Sequence, residues 1–331
     1  MSNTLELSSV GSEELVDKLP QLDPSTSGLE RDHNAFVVAG SEDIQFIDLH
    51  ELLLRPTPRR DMILEPILER RLSTMISAAP GVGKTTLVVE LAFAAAAGVD
   101  FGPFKAVGRA KVIYVNLEDT LTEITRRFEA VAKHFIGGED AMRQVQVLHR
   151  EGSLRIIERG GESVGFTRLG QRLKDAILAS QPDLIVIDPL ALAHDLDENL
   201  NSEMAALMER LETIPREADA AMLIVHHSKK DSDRGSGLDS VRGASAIGAC
   251  VRSVWRLVDA DSSTVALTCT KANNFEKPAH ATYLRKISVE IASGDSVGVL
   301  VPLDGPPESA EIDERGTRGR KARGAPGSKS R

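Results

Sequence analysis

The chain has 331 residues, of which 41% are hydrophobic and 27% are charged, and its formal net charge is −9. This composition is typical of a soluble globular protein, since no apolar run approaches the ~20 residues that span a bilayer and no signal-peptide pattern opens the chain. The negative charge argues against a general nucleic-acid binder, and two cysteines without metal-ligand spacing predict a reduced, cytoplasmic setting without a membrane.

The two ends of the chain differ in charge from its middle. The N-terminal end is acidic and the C-terminal end is basic beyond Glu314, and both are rich in Ser, Gly and Pro. Segments of this kind bury too little apolar surface to offset the entropy lost on ordering. We therefore predict a largely disordered acidic tail at 1–42, one ordered domain at 43–303 and a disordered basic tail at 304–331.

Within this domain, strand-type and helix-type runs alternate. Apolar or alternating runs predict strands at 72–78, 111–117, 146–149, 184–187, 221–227, 252–258, 264–270 and 283–290. Helical spacing predicts helices at 83–97, 120–135, 167–180 and 202–216. In the first helix, Leu87, Leu91 and Ala95 fall on one face. The order of elements predicts an α/β fold, with a central, mostly parallel sheet flanked by helices and a β-rich C-terminal extension.

A glycine-rich segment connects the first predicted strand to the first predicted helix. Gly81 and Gly83 allow a backbone that points N–H groups at phosphate oxygens. Lys84 would neutralise the β- and γ-phosphates of ATP, and the Thr85 hydroxyl would bind Mg²⁺. A chance match in a turn is the alternative, but the strand-to-helix context favours a phosphate-binding loop. The predicted nucleotide-binding segment consists of Ala79, Pro80, Gly81, Val82, Gly83, Lys84, Thr85 and Thr86.

Two acidic residues follow buried strands and are candidates for chemistry. Asp188 ends the run 184–187, where a carboxylate would lie beside the phosphate loop and hold the Mg²⁺ water shell; a turn aspartate is the alternative. Glu118 ends the strand 111–117 and could accept a proton from the water that attacks the γ-phosphate. Glu118 or Asp119 could instead cap the following helix. Because Asp119 is nearer the helix start, we expect it to be the cap.

Two histidines end the strand 221–227. His226 and His227 would lie at the sheet edge that binds nucleotide, where one of them could hydrogen-bond the γ-phosphate. A histidine that bonds a neighbouring backbone group is the alternative. The following segment, 228–240, is rich in Gly, Ser and Lys, and a solvated loop and a nucleic-acid contact are equally compatible with it.

With these positions identified, the chain resembles RecA-fold ATPases, and more narrowly the RepA-like hexameric replicative helicases and their AAA-type relatives. The resemblance covers about residues 43–290. It rests on Phe-Ile-Asp-Leu at 46–49, Ala-Pro-Gly-Val-Gly-Lys-Thr-Thr at 79–86, Asn-Leu-Glu-Asp at 116–119, Ile-Val-Ile-Asp-Pro at 185–189, Val-His-His-Ser-Lys at 225–229, Arg-Gly-Ala-Ser-Ala at 242–246 and Lys-Ala-Asn at 271–273.

The resemblance implies roles for these residues. Glu118 would be the catalytic base, Asp188 the second acidic motif and His227 the phosphate sensor. The segments 190–202 and 228–241 would be channel loops that touch single-stranded DNA inside a homo-oligomeric ring, expected to be a hexamer.

The resemblance also implies a contribution from a neighbouring subunit. Lys271 would reach into the nucleotide site of the adjacent copy. Several helicases have an arginine two residues later, where this chain has Asn273. Arg252 and Arg256 are therefore alternative candidates for the arginine finger.

Three functions are compatible with this sequence. The first is an ATP-driven translocase or helicase on DNA that acts in DNA replication, with a replication protein as a possible partner. The second is a RecA-fold ATPase without helicase activity that regulates or loads a partner protein. A kinase that uses the same loop ranks last, because the sequence shows no second substrate site.

Overall fold

The computed structural model describes residues 47–135, 137–149, 154–161, 163–227 and 244–307. The predicted acidic tail and residues 308–331 of the predicted basic tail lie outside these ranges. Helix α1 (Leu49–Leu53) belongs to a unit that ends at Pro58, and the elements after it belong to a second unit that begins at Arg59. The domain limits 43–303 stay a prediction.

The second unit is built on β-strands. In chain order they are β1 (Met62–Glu65), β2 (Leu68–Glu69), β3 (Ser73–Ala78), β4 (Lys105–Ala106), β5 (Val112–Asn116), β6 (Val145–Leu148), β7 (Ile157–Gly160), β8 (Ser163–Phe166), β9 (Leu184–Asp188), β10 (Ala221–His227), β11 (Ser253–Asp259), β12 (Thr264–Ala272), β13 (Thr282–Glu290) and β14 (Ser296–Pro302). Within the described residues, nine of them form one sheet in the order β14-β13-β12-β11-β3-β10-β9-β5-β6. The six strands from β11 to β6 are parallel, whereas β12, β13 and β14 are added antiparallel.

Helices connect the parallel strands. They are α2 (Lys84–Ala97), α3 (Leu121–His134), α4 (Gly138–Met142), α5 (Arg168–Ser180), α6 (Asn201–Leu211), α7 (Thr213–Ala218) and α8 (Ala244–Cys250), with a 3-10 turn at Leu190–Leu192. No helix among the described ranges is long and apolar enough to cross a membrane.

The sheet lies between two layers of helices because its central strands are apolar on both faces. Every residue of β3, β5 and β9 is buried, as expected for parallel strands covered on both sides. One core cluster contains residues of α2, α3 and α4, and the other contains residues of α5, α6, α7 and α8. The predicted α/β architecture, with its β-rich C-terminal extension, is therefore confirmed.

One helix prediction needs correction. The predicted helix 202–216 is two helices, α6 and α7, with Glu212 between them. Pro215 follows the break and has no backbone N–H to donate to a carbonyl four residues earlier, so one continuous helix is disfavoured. Helix α2 forms within the predicted range, and every residue from Leu87 to Ala97 is buried.

Several short elements were not predicted. Strands β7 and β8 form a two-stranded antiparallel sheet, and β2, β1 and β4 form a small separate sheet. The edge strand β14 was also missed. Its burial is uneven and irregular, so the period of two that reveals a half-buried strand is weak there.

Candidate nucleotide-binding site

The candidate site lies at the carboxyl end of the parallel strands. Strand β10 lies between β3 and β9, with His227 opposite Ala78, and β5 adjoins β9, with Asn116 opposite Asp188. The segments that follow these strands therefore meet at one edge of the sheet, which is where open α/β sheets bind ligands. Glu118 follows β5 by two residues and reaches the same edge.

The loop between β3 and α2 has the backbone that a phosphate-binding loop requires. Gly81 and Gly83 have φ of 83° and 116°, backbone angles that residues with a Cβ atom rarely adopt. Helix α2 begins at Lys84, and Gly83 at its N-cap forms no side-chain capping bond. The first N–H groups of α2 thus suit an anionic ligand, and the helix dipole adds to the attraction.

Lys84 is the first residue of α2, and its side chain contacts this loop. Its ammonium group donates a hydrogen bond to the carbonyl oxygen of Ala79 at 3.0 Å. Burial lowers the pKa of Lys84, while the nearby carboxylates of Asp188 and Glu118 act in the opposite direction. The structure therefore brings Lys84 together with both predicted acidic residues.

Asp188 is almost fully buried and has two hydroxyl partners. The Tyr114 hydroxyl donates to its Oδ2 atom at 2.5 Å, and the Thr85 hydroxyl also hydrogen-bonds to it. Burial raises the pKa of Asp188 to about 6, whereas the two hydroxyl donors lower it. Tyr114 was missed in the sequence because a tyrosine in an apolar run is a common core residue.

The oxygen atoms of Thr85 and Asp188 fit a magnesium ion. Mg²⁺ is usually held by one or two protein oxygens, the substrate phosphates and water, and seldom by an all-protein cage. Within the described ranges, no group of three or more His, Cys, Asp or Glu residues could hold a metal. A hydroxyl beside one buried carboxylate at a phosphate loop matches the first arrangement.

Glu118 and Asp119 play different parts, although not as expected. Asp119 is not the cap of α3, because the Thr120 hydroxyl accepts the Glu123 N–H at 3.2 Å. The Asp119 carboxylate instead accepts a hydrogen bond from Arg127 at 2.8 Å. This ion pair across two helical turns takes the place of the capping bond that we expected from Asp119. Glu118 does not cap either, and its carboxylate is about half exposed at the site.

The two histidines of β10 have different surroundings. Nε2 of His227 lies 3.5 Å from Oε2 of Glu118, so the structure brings these two candidates together. Burial lowers the pKa of His227, and Lys84 lowers it further, while Glu118 raises it. His226 is buried, its Nδ1 has no hydrogen-bond partner among the described residues, and burial lowers its pKa. Neutral imidazoles are therefore favoured at both positions.

A buried histidine that was not predicted adjoins His226. His194, in the segment after β9, lowers the pKa of His226 by its charge, and Glu198 raises it. His194 accepts a hydrogen bond from the Leu196 N–H at 3.2 Å. A lone histidine in a loop carries no signal in a single sequence, so only the structure reveals it.

Lys271 does not join this site within its own chain. Its ammonium group donates to the carbonyl oxygens of Gly248, Ala249 and Val251 at 2.8, 2.9 and 2.7 Å. It therefore caps the C-terminal end of α8. Its implied action on a neighbouring copy stays a prediction.

The arginine-finger and channel-loop assignments also stay predictions. Arg252 and Arg256 lie on or beside β11, with Arg256 opposite Ser77. Of the two predicted channel loops, 190–202 is described and 228–241 lies outside the described residues. The first loop is anchored to α6, where Glu203 accepts a hydrogen bond from the backbone N–H of Asp197 at 2.8 Å.

The fold and the site together define a P-loop nucleoside triphosphatase with a RecA-type arrangement of strands. Residues 41–233 match the family model of the AAA domain. Because this match covers more than half of the chain, the chain belongs to the AAA domain family. By family and fold, it is an ATPase.

The chain is similar to several solved structures. The chain is similar to a DnaB-like replicative helicase described with its interactions with primase, at 14% identity over 77% of this chain and 67% of that one, with a TM-score of 0.52. It is also similar to the ATPase domain of G40P, at 13% identity over 70% and 86% of the two chains, and to the RadB recombinase, at 15% over 65% and 87%, with TM-scores of 0.49 and 0.45. The likeness to the DnaB-like replicative helicase, with its TM-score above 0.5, confirms the predicted RecA-like fold.

Proposed function

We propose that this chain hydrolyses ATP in a homo-oligomeric ring that translocates on DNA or unwinds it. The observation that carries the proposal is the pair of Glu118 and His227, whose side chains lie 3.5 Å apart beside Lys84. A carboxylate and a neutral imidazole at this edge suit a reaction at the terminal phosphate of ATP.

In this proposal, each residue has a defined part in hydrolysis. Lys84 and the first N–H groups of α2 bind the β- and γ-phosphates. Thr85 and Asp188 hold Mg²⁺, which neutralises charge on the phosphate oxygens. Glu118 orients the attacking water and accepts its proton, and the neutral His227 hydrogen-bonds the γ-phosphate. His227 thereby couples the γ-phosphate to the segment that follows β10.

Likeness to a replicative helicase supports the ring and the DNA. The solved structure with the highest TM-score given above is a DnaB-like replicative helicase, and its description includes a primase partner. By analogy with it, we propose that this chain forms a hexameric ring, binds single-stranded DNA in the channel and has a replication protein as its partner. Lys271 would complete the nucleotide site of the neighbouring subunit.

A matched pair of variants tests hydrolysis. We expect Glu118→Gln to bind ATP but to turn it over about 10² to 10⁴ times more slowly, because its amide cannot accept the proton. The control variant Glu139→Gln makes the same charge change at an exposed position remote from the loop. It should keep the wild-type rate of ATP hydrolysis. Normal turnover by Glu118→Gln would contradict the assignment of the base.

A second measurement tests the action on DNA. ATPase activity is recorded with and without single-stranded DNA, strand displacement is followed on a forked substrate, and molecular mass is measured with ATP. DNA-stimulated ATPase and unwinding by a ring support the proposal. If ATPase is normal but neither DNA nor a fork has any effect, the translocase part of the proposal is wrong.

The net charge of −9 favours a second candidate function. A nucleotide-switched regulator or loader of a partner protein needs no positive channel. This candidate predicts an oligomer whose ATPase activity ignores DNA and responds to a protein partner. The DNA-stimulation measurement distinguishes the two functions.

A further inference from the structure

Tyr114 is a buried tyrosine whose hydroxyl points into the candidate site. It lies in β5 opposite Val186 of β9, and none of its surface is exposed. A buried phenol needs a hydrogen-bond partner, and Tyr114 finds one in Oδ2 of Asp188 at 2.5 Å. Its ring packs against that of Phe128 in a T-shaped arrangement, with ring centroids 5.3 Å apart. Ring packing and hydrogen bonding are therefore separate properties of this side chain.

Asp188 accepts that hydrogen bond in almost fully buried surroundings. It is 3% exposed, and the donors to its carboxylate are the hydroxyls of Tyr114 and Thr85. A carboxylate at a strand end can rotate about its side-chain bonds, so a donor behind one oxygen fixes the plane of the group. The plane then decides which lone pairs face Thr85 and the loop. Groups that hold a metal-binding side chain in this way commonly change metal affinity when they are removed.

We propose that Tyr114 is a positioning residue of the nucleotide site, which sets the orientation of Asp188 and thereby the affinity of the site for Mg²⁺ with bound nucleotide. The inference rests on the proposed function, because it concerns the same site. Tyr114 touches neither the nucleotide nor the ion in this scheme. It acts through Asp188.

The first test separates the hydroxyl from the ring. Tyr114→Phe removes one oxygen atom and keeps the packing against Phe128. The chain has one other tyrosine, Tyr283, which is remote from the loop, so Tyr283→Phe is the matched control. Each full-length protein is mixed with fluorescent mant-ADP in EDTA, and binding is then followed as Mg²⁺ is added.

We expect Tyr114→Phe to bind mant-ADP in EDTA as the wild type does, and to need about tenfold more Mg²⁺ to reach the tight complex. Tyr283→Phe should follow the wild type throughout. A change in EDTA binding and Mg²⁺ dependence by the same factor would indicate a merely structural role. An unchanged Mg²⁺ midpoint in Tyr114→Phe would overturn the proposal.

A spectroscopic test keeps the proposal open to refutation if Tyr114→Phe does not fold. Tyr283→Phe protein labelled with 3-fluorotyrosine carries one fluorine probe, at Tyr114. We expect its ¹⁹F resonance to differ between ADP with EDTA and ADP with Mg²⁺, because an ion held by Asp188 would change the charge on the carboxylate that accepts the hydrogen bond of the phenol. Identical spectra would overturn the proposal.

The binding measurements distinguish a wrong nucleotide site from a wrong role for Tyr114. If wild-type protein does not bind mant-ADP, or binds it without any response to Mg²⁺, the proposed nucleotide site is wrong. If wild type responds to Mg²⁺ and Tyr114→Phe responds identically, only the role of Tyr114 is wrong.

Discussion

Glu90 provides a sharp test of the packing around the phosphate-loop helix. It lies in the middle of α2 with none of its surface exposed. Its Oε1 accepts the N–H of Leu300 in β14 at 3.1 Å, and its Oε2 has no partner among the described residues. Burial raises the pKa of Glu90 to about 8, although the Leu300 N–H acts in the opposite direction. At pH 7 we therefore expect Glu90 to be protonated in the folded protein.

The cost of that protonation follows from linkage. The ordinary pKa of this side chain is 4.5, so at pH 7 the unfolded chain is ionised and folding must take up a proton. Each pH unit between these values contributes about 1.4 kcal/mol, which gives a cost of about 3 kcal/mol at pH 7. Because the folded pKa is the higher one, the stabilising contribution is complete below pH 4.5 and is lost as the pH rises towards 8.

Replacing Glu90 by glutamine removes the titratable carboxyl group and keeps an oxygen atom that can accept the Leu300 N–H. We expect the free energy of unfolding of Glu90→Gln, relative to wild type, to increase by about 3 kcal/mol between pH 5 and pH 8. Urea unfolding at four pH values measures this difference, and titrations common to both proteins cancel. For the exposed Glu139→Gln, the difference from wild type in free energy of unfolding should not change with pH. A difference that is also independent of pH for Glu90→Gln would refute the raised pKa of Glu90.

Two further pairs of variants test the packing of the same domain by urea unfolding. The Arg70 side chain is 11% exposed and forms an ion pair with Asp183 at 2.5 Å, whereas the Arg60 side chain, paired with Glu69, is 52% exposed. We therefore expect Arg70→Gln to lower the free energy of unfolding by about 3 kcal/mol and Arg60→Gln to lower it by under about 1 kcal/mol. Equal losses would contradict the role of burial. A Cβ at Gly170 would lie 1.9 Å from the carbonyl oxygen of Ile156, whereas one at Gly165 meets no atom within 4 Å. Gly170→Ala should therefore cost about 2 kcal/mol and Gly165→Ala about 0.5 kcal/mol or less, and a stable Gly170→Ala protein would show that this contact relaxes.

The central sheet and its functional edge could be predicted from the sequence because each depends on a local pattern. Continuous apolar runs such as 184–187 and 221–227 indicate buried parallel strands, and the residues after parallel strands meet at one edge. The predictions for Lys84, Asp188 and Glu118 share this origin, and the structure brings these three side chains to one place. Their chemical roles remain predictions that the variants above test.

The wrong cap assignment has the opposite origin, since it depends on a distant partner and on a competing local bond. Asp119 is adjacent to a helix start, yet its carboxylate pairs with Arg127, eight residues away. Thr120 is left to cap α3. Propensity at a helix end identifies several candidate caps, and the geometry of the next two turns decides among them.

Strand register, added to the sequence, would have been sufficient to identify Tyr114 as a partner of Asp188. Its hydroxyl partner, Asp188, is 74 residues away, so no window of sequence contains both. Given the register, however, Asn116 is opposite Asp188 in neighbouring strands. Tyr114 precedes Asn116 by two residues and therefore points to the same face of the sheet, within diagonal reach of a long side chain. Strand register thus turns an ordinary core tyrosine into a candidate for positioning the site.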